Sequence, residues 1–272
     1  MQRIARELIS KGHAKIRLNA EDVDTLLSVF GSADRFFNQD KAEKAAFRFK
    51  SDVEGYREIG AEFSISEDRP DLNEAYGVVL GNIPSTQARG WATGNVLFKS
   101  LLDVSKVYQP TINALFEALR QEINPDGAVL EVGDTSYLQV NYYRPSAETR
   151  DFLQDHHEDG HLLTVVKALE PGLEIRPDDR FEPVVLERNE ILLMPGSLLS
   201  IMTGGEIPAL WHRVRNTNAQ QNRASMMFFV NPCLKEAPAP WKSGPSGQDT
   251  DLAAACVERS VAFGLEPIDT AV

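Results

Sequence analysis

His157-Glu158-Asp159-Gly160-His161-Leu162-Leu163-Thr164-Val165-Val166 joins a polar, imidazole-rich head to an apolar tail. The tail has the length and β-branched composition of a buried strand. In an extended backbone, residues two apart point to the same face. His156 with Glu158, and His157 with Asp159, can each therefore converge on one point, and the local pattern does not choose between them. With five histidines and 40 acidic residues in the chain, one such pair is expected by chance, so the pair gains meaning only from its surroundings.

Those surroundings are β-like. Glu170-Pro171-Gly172, Pro177-Asp178-Asp179, Pro195-Gly196 and Gly204-Gly205 separate short apolar runs, as turns separate strands. His212 opens an alternating stretch, and Arg223-Ala224-Ser225 leads into the apolar run that ends at Val230. Two imidazoles and one carboxylate are the donor set of a mononuclear non-haem Fe(II) site, which leaves positions open on one face of the ion. The chain has only two cysteines, Cys233 and Cys256, both distant in sequence from this cluster, which argues against a zinc–thiolate site. Arg223 and Ser225 share a face and read as the anchor of an anionic co-substrate. A guanidinium offers a planar fork that matches a carboxylate, and it stays charged when buried.

From about residue 138 to 232 the chain resembles the isopenicillin N synthase-like branch of the Fe(II)/2-oxoglutarate-dependent dioxygenases. The stretches that carry this are Gln139-Val140-Asn141-Tyr142-Tyr143, His157-Glu158-Asp159 with Leu163-Thr164, His212-Arg213-Val214, and Arg223-x-Ser225 before Asn231-Pro232. Looser matches upstream are Gly55-Tyr56 and Asp71-Leu72-Asn73-Glu74. The offset of Thr164 from His157 fits the family pattern. The resemblance thus implies His157, Asp159 and His212 as the catalytic iron ligands, with His156 and His161 beside the ligands or exposed.

By the same resemblance, 2-oxoglutarate chelates the iron and pairs its far carboxylate with Arg223. Ser225, Tyr143 and Asn141 complete that pocket, and O2 is the second co-substrate. The activity implied is hydroxylation or desaturation of a small molecule, with release of succinate and CO2. Tyr56, Arg57, Arg144 and Phe229 are candidate substrate contacts. Two other readings are a related iron oxidase that closes a ring without 2-oxoglutarate, as isopenicillin N synthase does, and a metal-free jelly-roll binding protein. Asp159 argues against a halogenase, which needs a small residue at that position. The chain departs from the family in lacking the usual opening strand, in Arg144-Pro145 after the Asn-Tyr-Tyr segment, and in the bulky Trp211 beside His212.

The expected architecture is mainly β with flanking helices: a double-stranded β-helix (jelly roll) core, an N-terminal helical scaffold, and one long helix packed on the sheet. As a single dioxygenase domain it divides into a scaffold over 1–130, a catalytic core over 131–232 and a C-terminal loop and helix over 233–272. Periodicity predicts a helix ending at Lys11-Gly12, a strand over Ala14 to Leu18, and a helix capped by Asn19 with Val23, Leu26, Leu27 and Phe30 inward. Residues 31–75 show no clear period. A long helix over Leu97 to Ile123 carries an inward stripe from Leu101 to Leu119, with a kink or break expected at Pro110. Lys242 to Thr250 reads as a linker, and Leu252 to Phe263 as a terminal helix with Leu252, Cys256 and Val257 inward.

The formal net charge of −12 argues against nucleic acid and anionic membranes as partners. The first residues lack the apolar core of a signal peptide, no stretch approaches 18 uninterrupted apolar residues, and two isolated cysteines give no disulfide framework. A cytoplasmic protein acting on a small molecule is expected. The sequence leaves the oligomeric state open.

Overall fold

The computed structural model describes residues 1–48, 53–88, 90, 94–145, 150–217, 221–233 and 238–244, together with 251, 252, 254, 255 and 258. Its strands are β1 (Ala14–Arg17), β2 (Gly55–Arg57), β3 (Glu74–Val79), β4 (Tyr137–Tyr143), β5 (Phe152–His157), β6 (Leu163–Ala168), β7 (Leu173–Arg176), β8 (Glu182–Pro183), β9 (Glu190–Pro195), β10 (Trp211–Arg215) and β11 (Arg223–Val230). They form a seven-stranded sheet in the order β1-β9-β6-β11-β4-β3-β2 and a four-stranded sheet in the order β5-β10-β7-β8. The pairings are antiparallel throughout, from β1 on β9 to β7 on β8.

The two sheets face one another across a small apolar layer that includes Val166, Met194 and Met227 from the larger sheet and Leu173 and Ile175 from the smaller. This is the jelly-roll arrangement expected, although the sheets stay open rather than closing into a barrel. The outer face of the larger sheet carries the main core. Leu138, Val140 and Tyr142 of β4 and Ala224, Met226 and Phe228 of β11 join the buried faces of the helices there. Strict alternation along β4 and β11 thus gives one face to the core and the other to the gap between the sheets.

The long helix, Val96–Ile123, starts where the Asn95 side chain accepts from the amides of Leu97 and Phe98 at 3.0 and 3.1 Å. Its predicted stripe is buried, and Tyr108 meets Phe228 of β11 with ring centroids 6.0 Å apart. The expected break at Pro110 is absent, and one helix runs through. Pro110 and Lys106 lie on the exposed side, so the Lys106 carbonyl that loses its amide partner faces water.

The helix Gln2–Lys11 ends at Gly12 with φ 69°, a left-handed stop that glycine takes without a Cβ clash. In the helix Ala20–Phe37, capped by Asn19 as predicted, Val23 and Leu26 are buried but Leu27 and Phe30 only partly so. The inward face continues instead through Val29, Ala33 and Phe36, into the stretch where no period was legible. Leu252 is buried as expected. Cys256, Val257, the rest of the predicted terminal helix beyond Glu258, and residues 245–250 of the linker lie outside the described residues.

Candidate metal centre and cavity

His157 ends β5, and His212, the second residue of β10, is its direct partner across the ladder. Their rings lie 4.3 Å apart. Asp159 follows in the turn into β6, with Oδ1 3.6 Å from His157 Nε2 and 3.7 Å from His212 Nε2. One donor atom from each of the three falls within 4.8 Å of the others, and all three residues are buried. Nδ1 of His157 lies 2.8 Å from the Asp155 carbonyl, and Nδ1 of His212 lies 3.2 Å from the Leu210 carbonyl. A ring that donates to a carbonyl through Nδ1 keeps Nε2 as the free lone pair, the form that binds a metal.

Thr164 Oγ1 donates to Asp159 Oδ2 at 2.5 Å, which leaves Oδ1 turned toward the imidazoles. Burial raises the Asp159 carboxyl, but His212, His157 and His161 outweigh it and hold the group below the usual carboxylate range. Burial, followed by the charge of His212, pushes the His157 imidazole down toward its neutral form. Such a set, two imidazole nitrogens and one carboxylate oxygen, suits Fe(II).

The three donors line a cavity of about 280 Å³ between the sheets. Gln139 and Asn141 of β4 and Arg223, Ser225, Met227 and Phe229 of β11 reach it, as the alternation of each strand requires. Arg223 donates through Nε to the Pro171 carbonyl at 3.1 Å and through Nη1 to Ser225 Oγ at 3.3 Å. Its Nη2 is buried without a partner, and no carboxylate among the described residues pairs with the guanidinium. Burial lowers its pKa, against the opposing pull of Tyr143 and Glu170. A buried cation with one free donor is costly unless something anionic completes it.

The remaining predicted site residues divide between the cavity and the scaffold. Tyr143 is the ladder partner of Arg223, and the guanidinium lies over its ring at 5.0 Å. Arg223 thereby covers Tyr143, which supports the arginine without lining the cavity. Phe229 does line it, packed on Tyr137 and His161 at 4.7 and 4.8 Å.

Arg57 also lines the cavity, donating to Glu62 at 2.7 Å and to Gln139 at 2.6 Å. Tyr56, its neighbour on β2, faces the opposite side of the sheet and donates to Glu74 at 2.5 Å. Arg144 also serves Glu74, at 2.8 Å, and stacks over Tyr142. Tyr56 and Arg144 are therefore corrected from substrate contacts to parts of a buried ion cluster with Lys44 and Glu74.

His161 is buried but lies beside the centre rather than in it, bonded to Asn231 and Tyr137. His156 is exposed against Trp211, so the bulky tryptophan points away from His212's donor side. Polar residues of the cavity that the sequence reading gave no site role include Glu62, Ser64, Asp71, Tyr137, Gln139 and Gln154. Asp71 belongs to a segment matched by resemblance but given no role, whereas Glu62 and Ser64 sit in the aperiodic stretch and carry no local signal.

Residues 135–232, which hold every donor of the centre, match the 2OG-Fe(II) oxygenase superfamily. This segment, about a third of the chain, is thus similar to that superfamily, a class built around iron and 2-oxoglutarate. An oxoglutarate-dependent flavonoid 7-O-demethylase 1 from Ocimum basilicum is 27% identical over 224 residues, which cover 78% of this chain and 59% of that protein. The chain therefore spans about three fifths of that relative's length. In fold it is similar to a full-length Neurospora crassa protein solved in complex with alpha-KG, with a TM-score of 0.74 and 16% identity over 96% of this chain and 89% of that one. It is also similar to the 2-oxoglutarate complex of the dioxygenase for auxin oxidation 1 from Arabidopsis thaliana, with a TM-score of 0.67 and 17% identity over 90% of this chain and 91% of that one. No helix among the described residues is long and apolar enough to cross a membrane.

Proposed function

We propose that this protein is an Fe(II)- and 2-oxoglutarate-dependent oxygenase that hydroxylates or desaturates a small molecule, releasing succinate and CO2. The observation that carries the reading is the unpaired Nη2 of Arg223 in the same cavity as the three-donor cluster. In this reading His157, Asp159 and His212 hold the iron, and Thr164 fixes which Asp159 oxygen faces it. Arg223, with Ser225 beside it, takes the distal carboxylate of 2-oxoglutarate, and Tyr143 backs the guanidinium. When bound, the iron and keto acid supply the oxidising chemistry, activating O2 for attack on a C–H bond. The chain positions the reactants and keeps water out with Met194, Met227 and Phe229.

The main core contains residues from Ile4 to Ala255, which supports the scaffold, the catalytic segment and the C-terminal residues acting as one unit. Anaerobic thermal melts should rise when Mn(II) and 2-oxoglutarate are added together, because a ligand that binds only the folded state stabilises it. In air with Fe(II), oxygen uptake should release succinate in step. Oxygen uptake without succinate would instead favour an oxidase that does not use 2-oxoglutarate, and the absence of any shift or uptake would refute the reading.

A further inference from the structure

We propose that the prime substrate carries a cationic nitrogen and that Asp71 receives it. This rests on the oxygenase reading and narrows its substrate class. Asp71 lines the cavity and is only 3% exposed. Among the described residues the one side-chain donor to its carboxylate is the Ser64 hydroxyl, 2.8 Å from Oδ2 and 3.1 Å from Oδ1. A hydroxyl has a single proton to give, whereas a carboxylate offers about four acceptor sites.

The neighbouring acids are better served. Glu62 has Arg57 at 2.7 Å, Asp155 is paired with Arg69, and Glu74 is paired with Lys44 and Arg144. Among the described residues Asp71 has no cation of its own. Burial, with Glu62 and Asp155 adding to it, pushes its carboxyl up to about 6 despite Ser64 and His157, as befits an anion short of partners.

Charge in the cavity points the same way. A divalent ion, the Asp159 carboxylate, the 2-oxoglutarate dianion and Arg223 are together formally neutral, and Arg57 and Glu62 cancel. Asp71 is left as the uncompensated negative group. A protonated amine or quaternary nitrogen would answer it, and a carboxylate or phosphate would be repelled. The cavity of about 280 Å³ must also admit the co-substrate, so the molecule is small.

The test uses the full chain loaded anaerobically with Mn(II) and 2-oxoglutarate. Pentylamine, L-lysine and choline are compared with pentanol and pentanoate by ligand-observed NMR. At least one amine should bind about tenfold or more tightly than pentanol, the range of a charge-assisted hydrogen bond, and pentanoate should be weakest. Asp71→Asn should erase that preference, and Asp71→Glu should retain part of it. The thermal shift with Mn(II) and 2-oxoglutarate serves as the folding control for each variant.

Equal or better binding of pentanol or pentanoate overturns the proposal, as does an amine preference that survives Asp71→Asn. If Asp71→Asn does not fold, the wild-type ranking decides alone. A wild-type protein with no Mn(II) and 2-oxoglutarate shift refutes the oxygenase reading itself. A normal shift without amine preference refutes only this inference.

Discussion

Ser197 donates its backbone amide to the Asp159 carbonyl at 2.9 Å, tying the turn after β9 to the turn that carries the acidic donor. Gly196 bonds Leu162 and Leu198 bonds His161 in the same clamp. A Cβ on Gly196 would sit 2.1 Å from the His161 carbonyl oxygen and 2.8 Å from that of Asp159. Gly196→Ala must therefore push the Asp159 turn aside. The expected cost is about 1–3 kcal/mol of stability, with weaker Mn(II) binding, read by denaturant melts and metal titration. An alanine variant with wild-type values in both would show that the clamp does not position Asp159.

Thr164→Val removes the hydroxyl that fixes Asp159 Oδ2 while nearly keeping the side chain's shape. Loss of such a supporting bond typically lowers metal affinity about 10- to 100-fold. Thr164→Ser should restore most of it, because the donor returns. Anaerobic Fe(II) titration checks both variants.

Arg223→Ala removes Nη2, one of two buried guanidinium donors without a partner on the cavity-lining arginines, the other being Nη1 of Arg57. Breaking a buried pair of this kind costs about 3–5 kcal/mol, so 2-oxoglutarate affinity should fall more than a hundredfold. Mn(II) affinity should change little, since Arg223 is not among the three donors. Calorimetry with each ligand separates the two effects.

Glu74 ties stability to pH. Burial raises its carboxyl, but bonds from Lys44, Tyr56 and Arg144 prevail and hold it below its ordinary value of 4.5. A depressed folded-state value means that stability is fully present above the unfolded value and is lost as pH falls through the folded one. Acid melts should therefore show stability declining below about pH 4.5. Glu74→Gln, less stable at neutral pH, should show a shallower decline. A variant with the wild-type slope would count against Glu74 as a source of the acid sensitivity.

The candidate centre was legible through the resemblance: the local pattern left His156 with Glu158 and His157 with Asp159 both open, and the offset of Thr164 chose the second, although Asp159 lies in the turn after β5 rather than on a strand. The long helix was legible from its stripe, whereas Pro110, where a kink or two helices end to end was expected, does not split it, because the proline sits on the exposed side of one continuous helix. Tyr56 and Arg57 are adjacent, and no local pattern assigns a face to either; only the pairing of β2 with β3 sends one to the ion cluster and the other to the cavity. Glu62 and Asp71 were silent for a related reason. Their roles come from contacts with β2, β4 and a loop hydroxyl, which no local period encodes.

His157 and His212 stand opposite each other across β5 and β10, and the pairing is irregular immediately beyond His212. Sliding either strand by a single residue would turn one imidazole outward. An ion gripped by both rings would therefore act as a rivet through the ladder, penalising every misaligned zipper of these two strands. Metal scarcity would then be felt first as a loosening of the smaller sheet, before any chemistry is attempted.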